Sequence, residues 1–161
     1  MAFHNRFSAF WSPLVFLVGL ADGANGKEPN AVDRILEGHT GSVLAVGFSP
    51  DGTVLVTGSR DHTIKLWGAR TGHLDRTLSE HAGDVYAVVF SPKGDWLASS
   101  SKDTSIKFWD AQTGKLLRTL TGHTGRIEPL AFSPDGNILA TGGGGGDTSV
   151  RLWDLKKEFG K

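Results

Sequence analysis

Short apolar runs alternate with polar turns along the chain, and the same arrangement occurs three times. The first run of each set is apolar at nearly every position and leads into Ser-Pro: Val43–Phe48, Val85–Phe90 and Ile127–Phe132. Runs of this length bounded by turn residues predict β-strands. A strand that is apolar on both faces must be covered on both sides. The pattern therefore predicts sheets that lie between other sheets.

Further strands follow the first one in each set, separated by turn sequences. Pro50-Asp51-Gly52 is typical of these turns, because Pro presets φ and Gly permits positive φ. The later strands are predicted at Thr53–Gly58, Thr63–Trp67 and His73–Leu78, at Asp95–Ser100, Ser105–Trp109 and Lys115–Leu120, and at Asn137–Gly142 and Ser149–Trp153. The first two sets thus hold four strands each, and the third set lacks the fourth.

Histidines mark the period of the repeat. His39, His81 and His123 lie 42 residues apart, and the third strand of every set ends on a tryptophan. A period of about 40–45 residues with four short strands per unit predicts the blades of a β-propeller.

The repeated motifs resemble those of the WD-repeat β-propeller family. They are Gly-His, Phe-Ser-Pro-Asp-Gly, Asp-x-Thr-Ile-Lys-Leu-Trp and Trp-Asp, in three copies over residues 38–154. The resemblance implies an all-β fold of three four-stranded antiparallel WD-type blades that form an incomplete propeller arc. The repeats are placed at about 32–78, 79–120 and 121–155, with a C-terminal tail over 156–161. Gly68 and Glu80 depart from the motif, as does the glycine run Gly142–Gly146, which lengthens the third repeat.

The resemblance also implies a structural tetrad in every repeat. Its members form a buried relay in which an aspartate accepts from a histidine, and the histidine contacts a hydroxyl that accepts from the tryptophan N–H. The tetrads are His39, Thr57, Asp61 and Trp67; His81, Ser99, Asp103 and Trp109; and His123, Thr141, Asp147 and Trp153.

Three blades are too few to close a ring, since propellers have about four to eight. Arg34–Leu36 matches the fourth strand of the first set, Arg76–Leu78, and so provides a spare strand at the start of the repeats. Two interpretations stay open. Two chains form a homodimer that completes a six-bladed ring, each spare strand completing the other chain's third blade, or the chain is a truncated part of a larger WD-repeat protein.

Composition narrows the function. Seventeen basic and seventeen acidic residues give a net charge of zero, so no nucleic-acid partner is expected, and cysteine is absent.

Residues 1–21 have the order of a signal peptide: Arg6, an apolar run, then Gly19-Leu20-Ala21. Pro13 interrupts this run, so no stable membrane span is expected. Residues 22–31 are predicted as a linker. Export to a secreted or periplasmic location is predicted, with a cytoplasmic location as the alternative.

The function predicted from the resemblance is a non-enzymatic scaffold that binds proteins or peptides. Loop positions that differ between repeats are the candidate contacts: Ser42, Asp84 and Arg126 in one loop type, and Arg60 and Lys102 in the other.

Each tetrad holds His, hydroxyl and Asp, but three equivalent copies argue against a catalytic site, which is normally unique. Gly142–Gly146 with Asp147 is a single copy of a calcium-like motif, so neither a metal nor a cofactor is predicted. The alternatives are an exported propeller with a ligand or substrate site, and a fragment without a role of its own.

Overall fold

The computed structural model describes residues 34–160, which are almost entirely β-structure. The signal peptide predicted over 1–21 and the linker predicted over 22–31 lie outside the described residues. The elements are β1 (Val43–Phe48), β2 (Val54–Ser59), β3 (Ile64–Gly68), β4 (Leu74–Leu78), β5 (Val85–Phe90), β6 (Trp96–Ser101), β7 (Ile106–Asp110), β8 (Leu116–Leu120), β9 (Ile127–Phe132), β10 (Ile138–Gly143), β11 (Val150–Asp154) and α1 (Leu155–Phe159).

The strands form three antiparallel sheets, each built from strands in chain order. The sheets are β1-β2-β3-β4, β5-β6-β7-β8 and β9-β10-β11. The first strands of successive sheets are neighbours, β1 beside β5 and β5 beside β9. This arrangement confirms the predicted fold of consecutive propeller blades that do not close into a ring. The third blade has three strands, as its strand pattern predicts, and not the four that the resemblance implies for each blade.

The first strand of each blade is irregular near its start. A β-bulge shifts the register between Val43 and Ala45 in β1, and corresponding shifts occur in the second and third blades. Pro129 lies in the bulged part of β9, which among the described strands pairs with β10 alone. Proline is tolerated there because an edge strand leaves one side without ladder bonds. Gly142 faces this proline, and a Cβ at that position would come within 2.6 Å of Pro129 Cγ.

Two apolar clusters fill the spaces between successive blades. The first joins residues of the first and second blades, chiefly Val56, Ile64, Leu66, Val85, Val88 and Leu97. The second joins the second and third blades through Ala98, Ile106, Phe108, Ile127 and Leu139. At each junction, residues of the second and third strands of one blade pack against residues of the first and second strands of the next blade. A blade therefore has two different apolar faces.

A short helix takes the place of a turn after β11. In the first two blades the turn between the third and fourth strands contains Gly72 (φ 70°) or Gly114 (φ 74°). The matching position of the third blade is Glu158, which does not favour positive φ. The chain continues as α1 instead, with Asp154 as N-cap accepting from two backbone N–H groups. The sequence pattern predicts a tail over 156–161, so the helix is not among the predicted elements.

The helix packs against the second blade. The Phe159 ring stacks on Trp96 with 4.6 Å between ring centroids and meets Phe108 edge-on at 5.1 Å. Arg118 Nη2 pairs with Glu158 Oε2 at 2.8 Å. Because Phe108 belongs to the second apolar cluster, the helix covers one end of that cluster.

Candidate binding surface and its hydrogen-bonded frame

The second blade shows how one tetrad is assembled. His81 Nδ1 lies 2.8 Å from Asp103 Oδ2, and His81 Nε2 lies 2.8 Å from Ser99 Oγ. Trp109 Nε1 donates to the same Ser99 Oγ at 2.9 Å. A neutral imidazole with its proton on Nδ1 satisfies every atom, since Nδ1–H donates to the carboxylate and Nε2 accepts from the serine hydroxyl. The relay thus connects the third strand to the loop between the second and third strands.

The other two blades repeat this geometry. The structure brings all four side chains of each predicted tetrad together. The His–Asp, His–hydroxyl and Trp–hydroxyl distances are 2.8, 2.7 and 2.9 Å for His39, Asp61, Thr57 and Trp67. They are 2.7, 2.7 and 3.0 Å for His123, Asp147, Thr141 and Trp153. The two extra residues in the third repeat do not disturb these contacts.

Each tetrad aspartate also holds two loops together. Asp103 accepts from the backbone N–H of Ala82, in the loop before β5, and from the N–H and hydroxyl of Ser105. Asp61 and Asp147 do the same through Thr40 and Thr63, and through Thr124 and Ser149. This hydroxyl is not among the predicted tetrad members. Its signal is a Thr or Ser two residues after every tetrad aspartate.

These hydrogen bonds govern the ionisation of the aspartates. Burial raises the pKa of Asp103, but hydrogen bonds from His81, Ser105 and Ala82 outweigh it and hold the pKa well below its usual range. The pKa of Asp61 is lowered against the same desolvation, by hydrogen bonds from Thr63, His39 and Thr40. All three tetrads therefore carry an ionised carboxylate at neutral pH; the pKa of Asp147 is lowered chiefly by its bonds from Ser149.

The tetrad hydroxyls are poorly placed for chemistry. Ser99 is fully buried, and Thr57 and Thr141 are also buried. Each already contacts an imidazole on one side and an indole on the other. A nucleophile must reach its substrate, so this arrangement suits a structural frame and not nucleophilic attack.

The frame supports one end of the blades, where the candidate binding residues lie. In each blade the loop before the first strand and the loop between the second and third strands are joined by one backbone hydrogen bond. The N–H of Arg60 donates to the carbonyl of Ser42 at 3.0 Å, and the N–H of Lys102 donates to that of Asp84 at 2.9 Å. In the third blade the N–H of Gly144 donates to the carbonyl of Arg126 at 2.7 Å. The structure thus brings the predicted residues together in pairs in the first two blades, whereas Arg126 of the third blade meets Gly144, which is not among the predicted residues.

Glycines permit this close approach of the loops. A Cβ on Gly41 would lie 2.7 Å from the backbone nitrogen of Asp61, and one on Gly83 would lie 3.0 Å from that of Asp103. Gly125 occupies the same place in the third blade, against the Gly144 carbonyl. These glycines are not among the predicted site residues, although each stands two residues after a tetrad histidine.

The charged side chains in the loops at this end of the blades differ between blades in the residues that they contact. Asp84 Oδ1 lies 3.8 Å from His62 Nε2 of the preceding blade. Arg126 pairs with Glu128 and lies over the Tyr86 ring, 5.9 Å from its centroid. Arg60 and Lys102 are exposed and make no ion pair with any residue of the described part of the chain. Within that part, the surface therefore presents unpaired cations on two successive blades.

Neither a metal centre nor a membrane span is found in the described region. No group of three or more His, Cys, Asp or Glu side chains among residues 34–160 could hold a metal ion. None of the helices formed by these residues is long and apolar enough to cross a membrane.

The fold and the repeated frame define a class of protein, the β-propellers built from His–hydroxyl–Asp–Trp repeats. The WD40 family, described as "WD domain, G-beta repeat", matches residues 31–68, 72–110 and 114–154. The chain belongs to this family.

Similar proteins match the chain over limited regions. Protein Mut11 of Chlamydomonas reinhardtii is 60% identical over 37 residues, which are 23% of this chain and 10% of that protein. A guanine nucleotide-binding protein subunit beta of Nicotiana tabacum is 36% identical over 66 residues, 38% of this chain and 18% of that protein. The crystal structure of RRP9 WD40 repeats superposes with a TM-score of 0.73 at 27% identity, covering 77% of this chain and 38% of that chain. The chain thus spans well under half the length of these proteins.

Proposed function

We propose that the protein is a non-enzymatic scaffold that binds proteins or peptides through the end of the blades where the tetrads hold the loops. One observation carries this proposal. The frame repeats with nearly identical distances in all three blades, whereas the loop positions that it supports change from Ser42 to Asp84 to Arg126. A rigid frame with varied exposed side chains is the design of a recognition surface.

The unpaired charges suggest which partners this surface prefers. Arg60 and Lys102 are exposed without an ion pair among the described residues, and Arg126 is already paired with Glu128. Acidic segments are recognised by such basic residues, and arginine is common among residues that dominate binding energy. We therefore expect the bound segments to contain Asp or Glu.

A selection experiment tests this proposal. Random peptides displayed on phage are selected on the immobilised full chain, and the affinities of selected peptides are measured by biolayer interferometry. The double variant Arg60→Ala/Lys102→Ala is expected to bind them at least about tenfold more weakly, as expected when hot-spot residues are removed. The matched control is Lys93→Ala/Lys115→Ala, whose residues are exposed at the opposite end of the blades. Equal losses in both variants, or none in either, would contradict the proposal.

We also propose that the chain binds a second copy of itself and that the two copies complete a six-bladed ring, a number within the range of about four to eight blades known for propellers. Apolar side chains that are buried in the middle blade are exposed on the outer blades. Val46 is 67% exposed, whereas the equivalent Val88 is 2% exposed. Leu152 is 70% exposed, whereas the equivalent Phe108 is 0% exposed. Exposed patches of this kind mark interaction sites.

Export of the chain is a further part of the proposal. It is supported by the order of Arg6, the apolar run and the small residues Gly19 and Ala21. The experiment is expression in a secreting host followed by intact-mass analysis of the medium or periplasm. Loss of about the first 21 residues is expected from signal-peptide cleavage. Intact chain confined to the cytosol would contradict it.

A further inference from the structure

The exposed face of the first blade and the exposed face of the third blade carry the two sets of side chains that pack together at each junction between blades. In the first blade the exposed face carries Val43 and Val46, the equivalents of Val85 and Val88, which are buried against the preceding blade. In the third blade the exposed face carries Val150 and Leu152. Their equivalents are Ile106 and Phe108 of the second blade, which are buried against the third blade. One copy can therefore place its third blade against the first blade of another with contacts of a kind already present twice in the chain.

The segment Arg34–Leu36 lies where the fourth strand of a preceding blade would lie. Arg76, in the fourth strand of the first blade, donates from Nη1 to the carbonyl of Gln112 in the second blade at 2.7 Å. Arg34 Nη1 donates in the same way to the carbonyl of Arg70 in the first blade. The matching pairs are each 36 residues apart in the chain. The segment is thus positioned as a fourth strand although it pairs with no strand among the described residues.

The contacts at the turn glycines Gly72 and Gly114 also show that Arg34–Leu36 is placed like a fourth strand. Side chains of Arg76 and Leu78 are the nearest neighbours of Gly114, and those of Arg34 and Leu36 are the nearest neighbours of Gly72. Both the polar and the apolar contacts of a fourth strand are therefore reproduced at the first blade.

The third blade lacks a fourth strand among the described residues. Its last strand, β11, pairs with β10 on one side and with no strand of the described residues on the other. An unpaired strand edge presents free N–H and C=O groups, which readily accept an added strand. Arg151 on this strand is the equivalent of Lys65 and Lys107.

We infer that Arg34–Leu36 of one copy adds to the β11 edge of a second copy as the fourth strand of its third blade, with Ile35 opposite Arg151. This inference rests on the proposed self-association. The register follows from the first blade, where Ile64, Lys65 and Leu66 face Leu78, Thr77 and Arg76. Since the chain has no net charge, two copies approach without overall repulsion. Both copies exchange segments, so the contact is used twice in the ring.

Disulfide trapping tests the register. The chain contains no cysteine, so only introduced pairs can be oxidised. Ile35→Cys/Arg151→Cys in the full chain is expected to form a covalent dimer, because facing residues of antiparallel strands have Cα atoms about 4.5–5.5 Å apart, within disulfide reach. Non-reducing electrophoresis and intact mass measure the product. Lys65→Cys/Thr77→Cys calibrates the method, because those residues face each other within one chain and must give an intramolecular bond.

A register control makes the test specific. Ile35→Cys/Val150→Cys shifts the pairing by one residue, which directs the two side chains to opposite faces of the sheet. We expect at least about tenfold less covalent dimer from this pair under the same conditions. Equal trapping of both pairs, or an intramolecular bond in Ile35→Cys/Arg151→Cys, would overturn the inference.

Light scattering on the reduced variants separates the two proposals. A non-covalent dimer that Ile35→Cys/Arg151→Cys fails to trap on oxidation would overturn the strand exchange and leave self-association standing. A monomer at all concentrations would overturn both. Ile35 is exposed and lies outside every strand, and the second cysteine of each exchange pair lies on the edge strand β11. Far-UV circular dichroism checks that the variants fold.

Discussion

At the residue scale, the tetrad aspartates accept hydrogen bonds from more groups than any other carboxylates described. Asp103 accepts from the His81 ring, from the Ala82 amide, and from the amide and hydroxyl of Ser105. These donors come from the loop before β5 and from the end of the loop between β6 and β7. The aspartate thus connects two loops to each other and to the blade interior, which explains how varied loop residues can rest on a constant frame.

Asp103→Ala is predicted to lower the free energy of unfolding by about 1–3 kcal/mol, since it leaves the buried His81 nitrogen without its acceptor. Urea denaturation followed by tryptophan fluorescence measures the change. Asp95→Ala is the control in the same blade, because Asp95 is exposed and contributes only its backbone carbonyl to a hydrogen bond. The control should change stability by less than about 0.5 kcal/mol. Equal stability of Asp103→Ala and the wild type would show that the relay contributes nothing.

Stability is predicted to fall in acid. The pKa of Asp61, Asp103 and Asp147 is lowered in the folded protein from an ordinary value of 3.8. A carboxyl with a depressed folded pKa contributes its full stabilisation above the unfolded pKa, and this contribution is lost progressively as pH falls from the unfolded pKa through the folded pKa. The urea midpoint should therefore be lower at pH 3 than at pH 7. The Asp103→Asn variant should show a smaller difference between the two pH values. A midpoint that does not change with pH would contradict this account.

At the element scale, repetition is what makes the blades predictable. Strand positions follow from three aligned copies of Phe-Ser-Pro and of Trp-Asp or Trp-Gly, and the tetrad members could be placed by the same alignment. The helix α1 could not be predicted by this alignment, because it forms where the third repeat lacks a turn glycine. Glu158 stands at the position where Gly72 and Gly114 allow a turn with positive φ. One substitution in a single copy gives no periodic signal. The contacts of charged side chains between blades, such as Arg126 over the Tyr86 ring and Asp84 near His62, also have no counterpart in the other repeats.

The helix should contribute measurably to stability. Phe159→Ala removes a ring that contacts Trp96 and Phe108. Because Phe159 is only half-buried, the expected loss is about 2 kcal/mol, below the 3–5 kcal/mol typical of a fully buried phenylalanine. Lys157→Ala is the control within the same helix, since this lysine is exposed. Thermal unfolding of the two variants should therefore differ, and equal melting temperatures would mean that the helix does not support the second apolar cluster.

At the scale of the whole molecule, three blades leave two apolar faces and one strand edge without partners in the described residues. The same residue positions are buried at both internal junctions. The proposed self-association would provide partners for all of them at once. Heterologous contacts that close on themselves give a finite ring, whereas contacts that do not close would give open fibres.

Removal of the exchanged segment should weaken the dimer selectively. Deleting residues 31–36 takes away Arg34 and Leu36 but leaves the second blade and both apolar clusters intact. The dissociation constant measured by analytical ultracentrifugation is expected to rise by at least about tenfold, equivalent to about 1.4 kcal/mol. The far-UV spectrum should stay that of a β-protein. An unchanged dissociation constant would show that the segment takes no part in the contact.

The mass of the chain in solution tests the account most directly. Size-exclusion chromatography with multi-angle light scattering is run on the full chain at tens of micromolar, with a dilution series to follow dissociation. The account predicts a species of twice the 17.2 kDa chain mass. A well-folded monomer of 17.2 kDa at every concentration would contradict it.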